Sequence, residues 1–188
     1  MLHWLSTGMI VHGFDMYRVY LSTPGDLARE QDACRAAISE VNANEAMPLK
    51  ILLVSVGLRE DGQIVGFRSA VADNIRQCTY FIQVFEDDWG PNNLFRKMFH
   101  LAAECRDDAS LPMREAIMCL KDAPHETDLA ILTFRKELED RQDVRVLRFD
   151  KSENLKTQLI EICKGWVRSI ADAGGGANRT DNARGAAL

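Results

Sequence analysis

The sequence predicts an α/β fold of three layers, doubly wound around a five-stranded parallel sheet in the order 2-1-3-4-5. Three observations carry the prediction. Short apolar runs rich in β-branched and aromatic residues alternate with stretches whose apolar residues recur at helical spacing, along a chain of 188 residues. The links between them are short, which implies parallel pairing through right-handed crossovers. The run Leu49–Val56 is almost continuously apolar, as a strand covered on both faces requires.

Tyr17, Val19, Tyr20 and Leu21 make the first strand, which feeds the polar turn Ser22-Thr23-Pro24-Gly25-Asp26. Thr23 three residues before Asp26, with Pro24 between them, reads as a capping-box-like helix start. The first helix is expected from Asp26 to about Asn44, with Leu27, Cys34, Ile38 and Val41 inward and Glu30, Asp32, Arg35 and Glu40 on the other faces. Pro48 ends that connection, and Leu49–Val56 is the second strand. A polar loop, Gly57–Gly66, precedes a helix whose stripe is Phe67, Ala70, Val71, Ile75 and Cys78.

Thr79–Phe85 is the third strand, and it runs into Glu86-Asp87-Asp88-Trp89-Gly90-Pro91. Leu94, Phe95, Met98, Phe99, Ala102 and Cys105 form the stripe of the third helix. Met113–Leu120 fits helix or strand; its shortness and its place between Pro112 and Pro124 decide for strand. Glu126–Gln142 is the converse, strand-like at Ala130–Phe134 but continued by good helix formers, with Thr127 as cap. Val144–Phe149 is the fifth strand, its arginines on an edge face. Asp150 or Ser152 caps a last helix carrying Leu155, Leu159, Ile162, Cys163, Trp166 and Ile170. Residues 1–15 read as a peripheral leader or an upstream mis-start, 16–172 as the domain, and 173–188 as a disordered tail.

Composition narrows the class of protein. A net charge of −5 argues against a general nucleic-acid binder, which carries a basic face. Five scattered cysteines without a C-x-x-C pair read as buried reduced thiols of a cytoplasmic protein, and no apolar run is long enough to cross a bilayer. Neither G-x-G-x-x-G nor a Walker loop occurs, which disfavours nucleotide hydrolases and Rossmann dehydrogenases. No G-x-S-x-G elbow is present. His3, His12, His100 and His125 lack ligand spacing, so no metal is expected.

In a sheet of this order ligands lie beyond the carboxyl ends of the strands, at the switch point between the first and third. That places Ser22, Thr23, Gly25 and Asp26 beside Trp89 and Gly90, as groups that hold a ligand at a helix N-terminus. One chemistry stays compatible, cleavage of an N-glycosidic bond, in which a carboxylate stabilises an oxocarbenium-like centre. Asp87, Asp88 and Glu104 are the candidates, with Glu86 beside them. The competing reading makes the loop an acidic turn with Trp89 folded onto the core.

Val19-Tyr20-Leu21-Ser22-Thr23, followed by Asp26-Leu27 and Glu30, resembles the opening motif of a TIR-like domain family of unknown function. That family stands at the start of bacterial and eukaryotic signalling and NTPase-repeat proteins. Asp87-Asp88-Trp89-Gly90 is similar to its loop after the third strand, and Pro112 to its approach to the fourth. The resemblance spans about 16–170 and implies a flavodoxin-like fold related to TIR domains and nucleoside deoxyribosyltransferases. It further implies one of two functions. The first is a signalling module in bacterial defence or stress, with self-association or a protein partner and a small nucleotide ligand. The second is an enzyme acting on NAD or a nucleoside, with NAD as substrate rather than required cofactor. The family's glutamate early in the third helix has no counterpart in Phe95-Arg96-Lys97-Met98, and its first-helix arginine is here Gln31.

Overall fold

The computed structural model describes residues 10–11, 13–57, 69–141 and 143–182. Along them run β1 (Ile10–Val11), β2 (Phe14–Ser22), α1 (Ala28–Val41), β3 (Ile51–Val56), α2 (Ser69–Arg76) and β4 (Tyr80–Phe85). Then follow α3 (Leu94–Asp107), β5 (Glu115–Lys121), α4 (Leu129–Asp140), β6 (Arg145–Phe149) and α5 (Ser152–Asn182). Five strands pair in parallel in the order β3-β2-β4-β5-β6. Counted among the parallel strands alone this is 2-1-3-4-5, the predicted flavodoxin-like order.

The two faces of β4 show how the sequence builds the layers. Tyr80, Ile82 and Val84 point to one side, into a core shared with α1 and α5 through Cys34, Ile38, Leu159 and Trp166. Phe81 packs on the opposite side with Val71 and Ile75 of α2 and Met98 of α3. Phe85, also on that side, meets Phe99 of α3 and Phe134 and Leu138 of α4. All six residues of β4 are buried, as a central parallel strand demands. The five cysteines are free and buried, as expected.

Several boundaries differ from the sequence reading. The leader was expected to end at Asp15, yet Phe14 and Asp15 belong to β2 and pair with Val11 and Ile10 of β1. Gly13, at φ +82°, turns the chain between the two strands. Residues 1–9 and 12 of that leader lie outside the described residues. The helix start at Thr23 and Asp26 is also corrected. The Leu27 N–H donates to the Pro24 carbonyl at 3.1 Å, closing a turn, and α1 begins at Ala28.

Beyond Val41 the helix does not stop near Asn44. It continues as a π turn, Asn42–Ala46, and a 3₁₀ turn, Met47–Leu49, that contains Pro48; Lys50 at φ 57° ends it. The cause is visible in Asn42, whose side-chain amide donates to the Leu53 carbonyl at 2.7 Å and accepts the Leu53 N–H at 2.9 Å. That pair anchors the turn to β3. The loop over 58–66 and the Phe67 end of the second helix lie outside the described residues.

Met113–Leu120 is strand, as chosen, shifted to Glu115–Lys121. The α4 cap is Asp128 rather than Thr127: its Oδ1 accepts the Ala130 N–H at 2.7 Å. The last helix runs past Ala173 to Asn182, so the tail expected to be disordered continues α5 there; extending an existing helix needs no new nucleus. Residues 183–188 are outside the described set.

Candidate functional site

The carboxyl ends of β2 and β4 lie side by side, with Ser22 opposite Gln83 and Gln83 opposite Met118 of β5. Ser22 and Gln83 face α3, and the nearest partner of Ser22 Oγ is the Met98 sulfur at 3.9 Å. Gln83 is fully buried and, among the described residues, neither its Oε1 nor its Nε2 meets a partner; the buried Thr23 Oγ1 has none there either. Buried polar atoms are nearly always satisfied, and leaving one bare costs about 1–3 kcal/mol. Three such atoms at adjacent strand ends therefore mark the switch point as a polar floor.

On the other side of the sheet, the crevice is crossed by an ion triad. Lys121 Nζ, at the end of β5, lies 2.9 Å from Glu86 Oε2 and 3.4 Å from Glu30 Oε1. Burial by itself would lower the Lys121 pKa, but hydrogen bonds and charge from Glu86 and Glu30 raise it above the ordinary lysine value. Glu30 is buried on the first turn of α1, which corrects its expected place on a polar face: Lys121 supplies the counter-charge that burial requires. Arg135 of α4 completes the frame, donating to the Glu86 carbonyl at 2.6 Å and the Lys121 carbonyl at 2.7 Å.

The acidic loop divides differently from expectation. Asp87 and Asp88 are exposed, and Asp88 Oδ1 accepts the Gly90 N–H at 2.9 Å, a turn-forming bond. Trp89 folds inward, its ring 4.5 Å from Phe85 and 4.4 Å from Phe134, with the Arg96 guanidinium 5.7 Å above it. The core-packing alternative thus holds for Trp89. Gly90 has φ +67°, and a Cβ there would stand 2.5 Å from the Phe95 ring, so this glycine is a packing requirement. Gly25 and Asp26 sit exposed on the turn before α1.

Glu104 is exposed and lies ten residues into α3, roughly 15 Å along the helix axis from Leu94. Because α3 runs back from the carboxyl edge to the amino edge, Glu104 ends up remote from Ser22 and Thr23. The structure therefore brings together Ser22 and Thr23 with Gln83 and the Glu86 end of β4, and removes Glu104 from that group. Sequence reasoning missed Gln83, Glu30, Lys121 and Arg135 as site residues. Two signals were legible: a lone amide inside the apolar strand Thr79–Phe85, and a lysine closing the apolar run Ala116–Leu120.

Two open clefts occur elsewhere. One of about 340 Å³ opens at the ends of β2 and β3, with Leu21, Gln31, Arg35, Ser55 and Gly57 among its walls. Gly57 approaches the Leu21 carbonyl so closely that a Cβ would stand 2.6 Å from that oxygen. The other, of about 590 Å³, lies at the amino edge of β4, β5 and β6. Among the described residues, none of the nine predicted site residues lines either cleft. No group of three or more His, Cys, Asp or Glu among the described residues is arranged to hold a metal. No helix among them is long and apolar enough to cross a membrane. No protein-family model matches the chain, and no curated protein matches it.

Proposed function

We propose that this chain is a TIR-like signalling or interaction module that holds a small nucleotide above Ser22 and Thr23 without cleaving it. The observation that carries the reading is the buried set Thr23 Oγ1, Gln83 Oε1 and Gln83 Nε2. These buried atoms sit at the switch point of a 2-1-3-4-5 sheet without a partner among the described residues, and a polar ligand seated there would supply one. The absence of turnover in the proposal follows from the carboxylates. Asp87 and Asp88 are solvent-exposed turn residues, and Glu104 is a helix length away. Self-association or a protein partner and a role in bacterial defence or stress signalling rest on the family resemblance alone, and a cytoplasmic place rests on the five scattered free cysteines.

A second reading, N-glycosidic cleavage of NAD or a nucleoside, is favoured by one observation. Glu86 is half-buried at the crevice, and a cationic sugar that displaced Lys121 from its carboxylate would be stabilised there.

The test is calorimetric titration of the purified chain with NAD and a nucleoside panel, with base release followed by chromatography in the same samples. Binding that Thr23→Val or Gln83→Met weakens, without released base, supports the module. Base release that survives Asp87→Ala, Asp88→Ala and Glu104→Gln together but is lost in Glu86→Gln supports the enzyme. No binding by the folded chain removes the nucleotide from the reading.

A further inference from the structure

We infer that the cleft at the amino edge of β4, β5 and β6 is a second ligand site, built to receive a small molecule bearing a carboxylate or phosphate group. It lies at the opposite edge of the sheet from Ser22 and Thr23 and does not depend on what binds there. Its volume of about 590 Å³ falls in the range of small-molecule sites. Three guanidiniums line it, those of Arg106, Arg114 and Arg145, against two carboxylates, those of Glu115 and Asp143.

Both carboxylates are already engaged. Glu115 Oε1 receives Arg145 Nε at 2.8 Å, and its Oε2 receives the Trp166 indole N–H. Asp143 is bonded through Oδ1 to Arg141 Nε at 2.9 Å and through Oδ2 to both Arg141 and Arg106, the latter at 3.1 Å. Arg114 is different. It is exposed and, among the described residues, forms no ion pair; its guanidinium is placed 5.4 Å from the Tyr17 ring centre.

A guanidinium carries five N–H donors in a planar fork that matches a carboxylate or phosphate. Arg114 is thus a fork set beside the Tyr17 and Tyr80 hydroxyls, with no anionic acceptor among the described residues. The exposed Ser169 of α5 adds a hydroxyl on the facing wall. Tyr80 and Trp166, stacked with ring centres 3.9 Å apart, give the cleft a rigid aromatic base.

The experiment titrates the full chain with inorganic phosphate and, separately, with succinate at constant ionic strength, read by calorimetry. Saturable binding of either probe is expected, weakened at least tenfold in Arg114→Gln, partly restored in Arg114→Lys, and weakened in Ser169→Glu. The probe that binds identifies the class, phosphate or carboxylate. Ser169→Glu changes an exposed helix position and decides the matter should Arg114→Gln fail to fold. No saturable binding of either probe, or unchanged affinity in folded Arg114→Gln or in Ser169→Glu, overturns the inference.

Discussion

The ammonium of Lys121 stands 3.4 Å from the buried carboxylate of Glu30, tying the end of β5 to the first turn of α1. Lys121→Met leaves Glu30 and Glu86 without their counter-charge. Breaking a fully buried pair costs about 3–5 kcal/mol. Lys121 keeps 24% of its side chain exposed, so a loss of about 2 kcal/mol is expected in urea denaturation at pH 7.

The same ion pair sets a pH signature. Lys121 titrates higher in the folded chain than in the unfolded one. Its stabilisation is therefore complete below the ordinary lysine value of 10.5 and fades as the pH rises through the folded value. The stability gap between the native chain and Lys121→Met is expected to be constant well below the ordinary lysine value of 10.5 and to narrow as the pH rises past it. Denaturation curves of both proteins across that range check it.

Gln83→Met replaces a fully buried amide that has no partner among the described residues with an apolar chain of similar size. Removing the two bare polar atoms is expected to stabilise the fold by about 1–2 kcal/mol. In the proposed module the same change weakens nucleotide binding. Stability and affinity moving in opposite directions would separate a ligand-holding residue from a structural one.

Gly90→Ala is expected to destabilise by about 1–3 kcal/mol, since the position combines φ +67° with a Cβ clash against Phe95. Asp88→Ala removes only an exposed turn bond and is expected to cost less than about 1 kcal/mol. Thermal midpoints of the two variants give the comparison.

The layers were legible because burial leaves a repeating mark. Phe81 and Phe85 on one side of β4, and Tyr80, Ile82 and Val84 on the other, could be assigned to a doubly covered strand from their run alone. The order of the strands followed from alternation and crossover handedness. Local chemistry was less legible where two residues compete for one role. Thr23 and Pro24 carry a helix-start pattern, yet the Pro24 carbonyl takes the Leu27 N–H and moves the start to Ala28. Glu30 looked solvated because its partner Lys121 is remote in sequence, and only the fold brings a strand end to that helix turn. Glu104, two turns or more beyond the start of α3, is carried by the helix direction toward the far edge of the sheet.

Asn42 has a meaning for the protein's behaviour in crowded solution. β3 is the outermost parallel strand on its side of the sheet, and a bare outer strand is a template onto which another chain can add. The Asn42 amide imitates a backbone peptide and occupies both the N–H and the carbonyl of Leu53, in the middle of that strand. An arriving strand would have to displace it before it could pair. A single side chain thus guards the middle of the β3 edge against lateral growth, while β6 forms the opposite edge of the sheet.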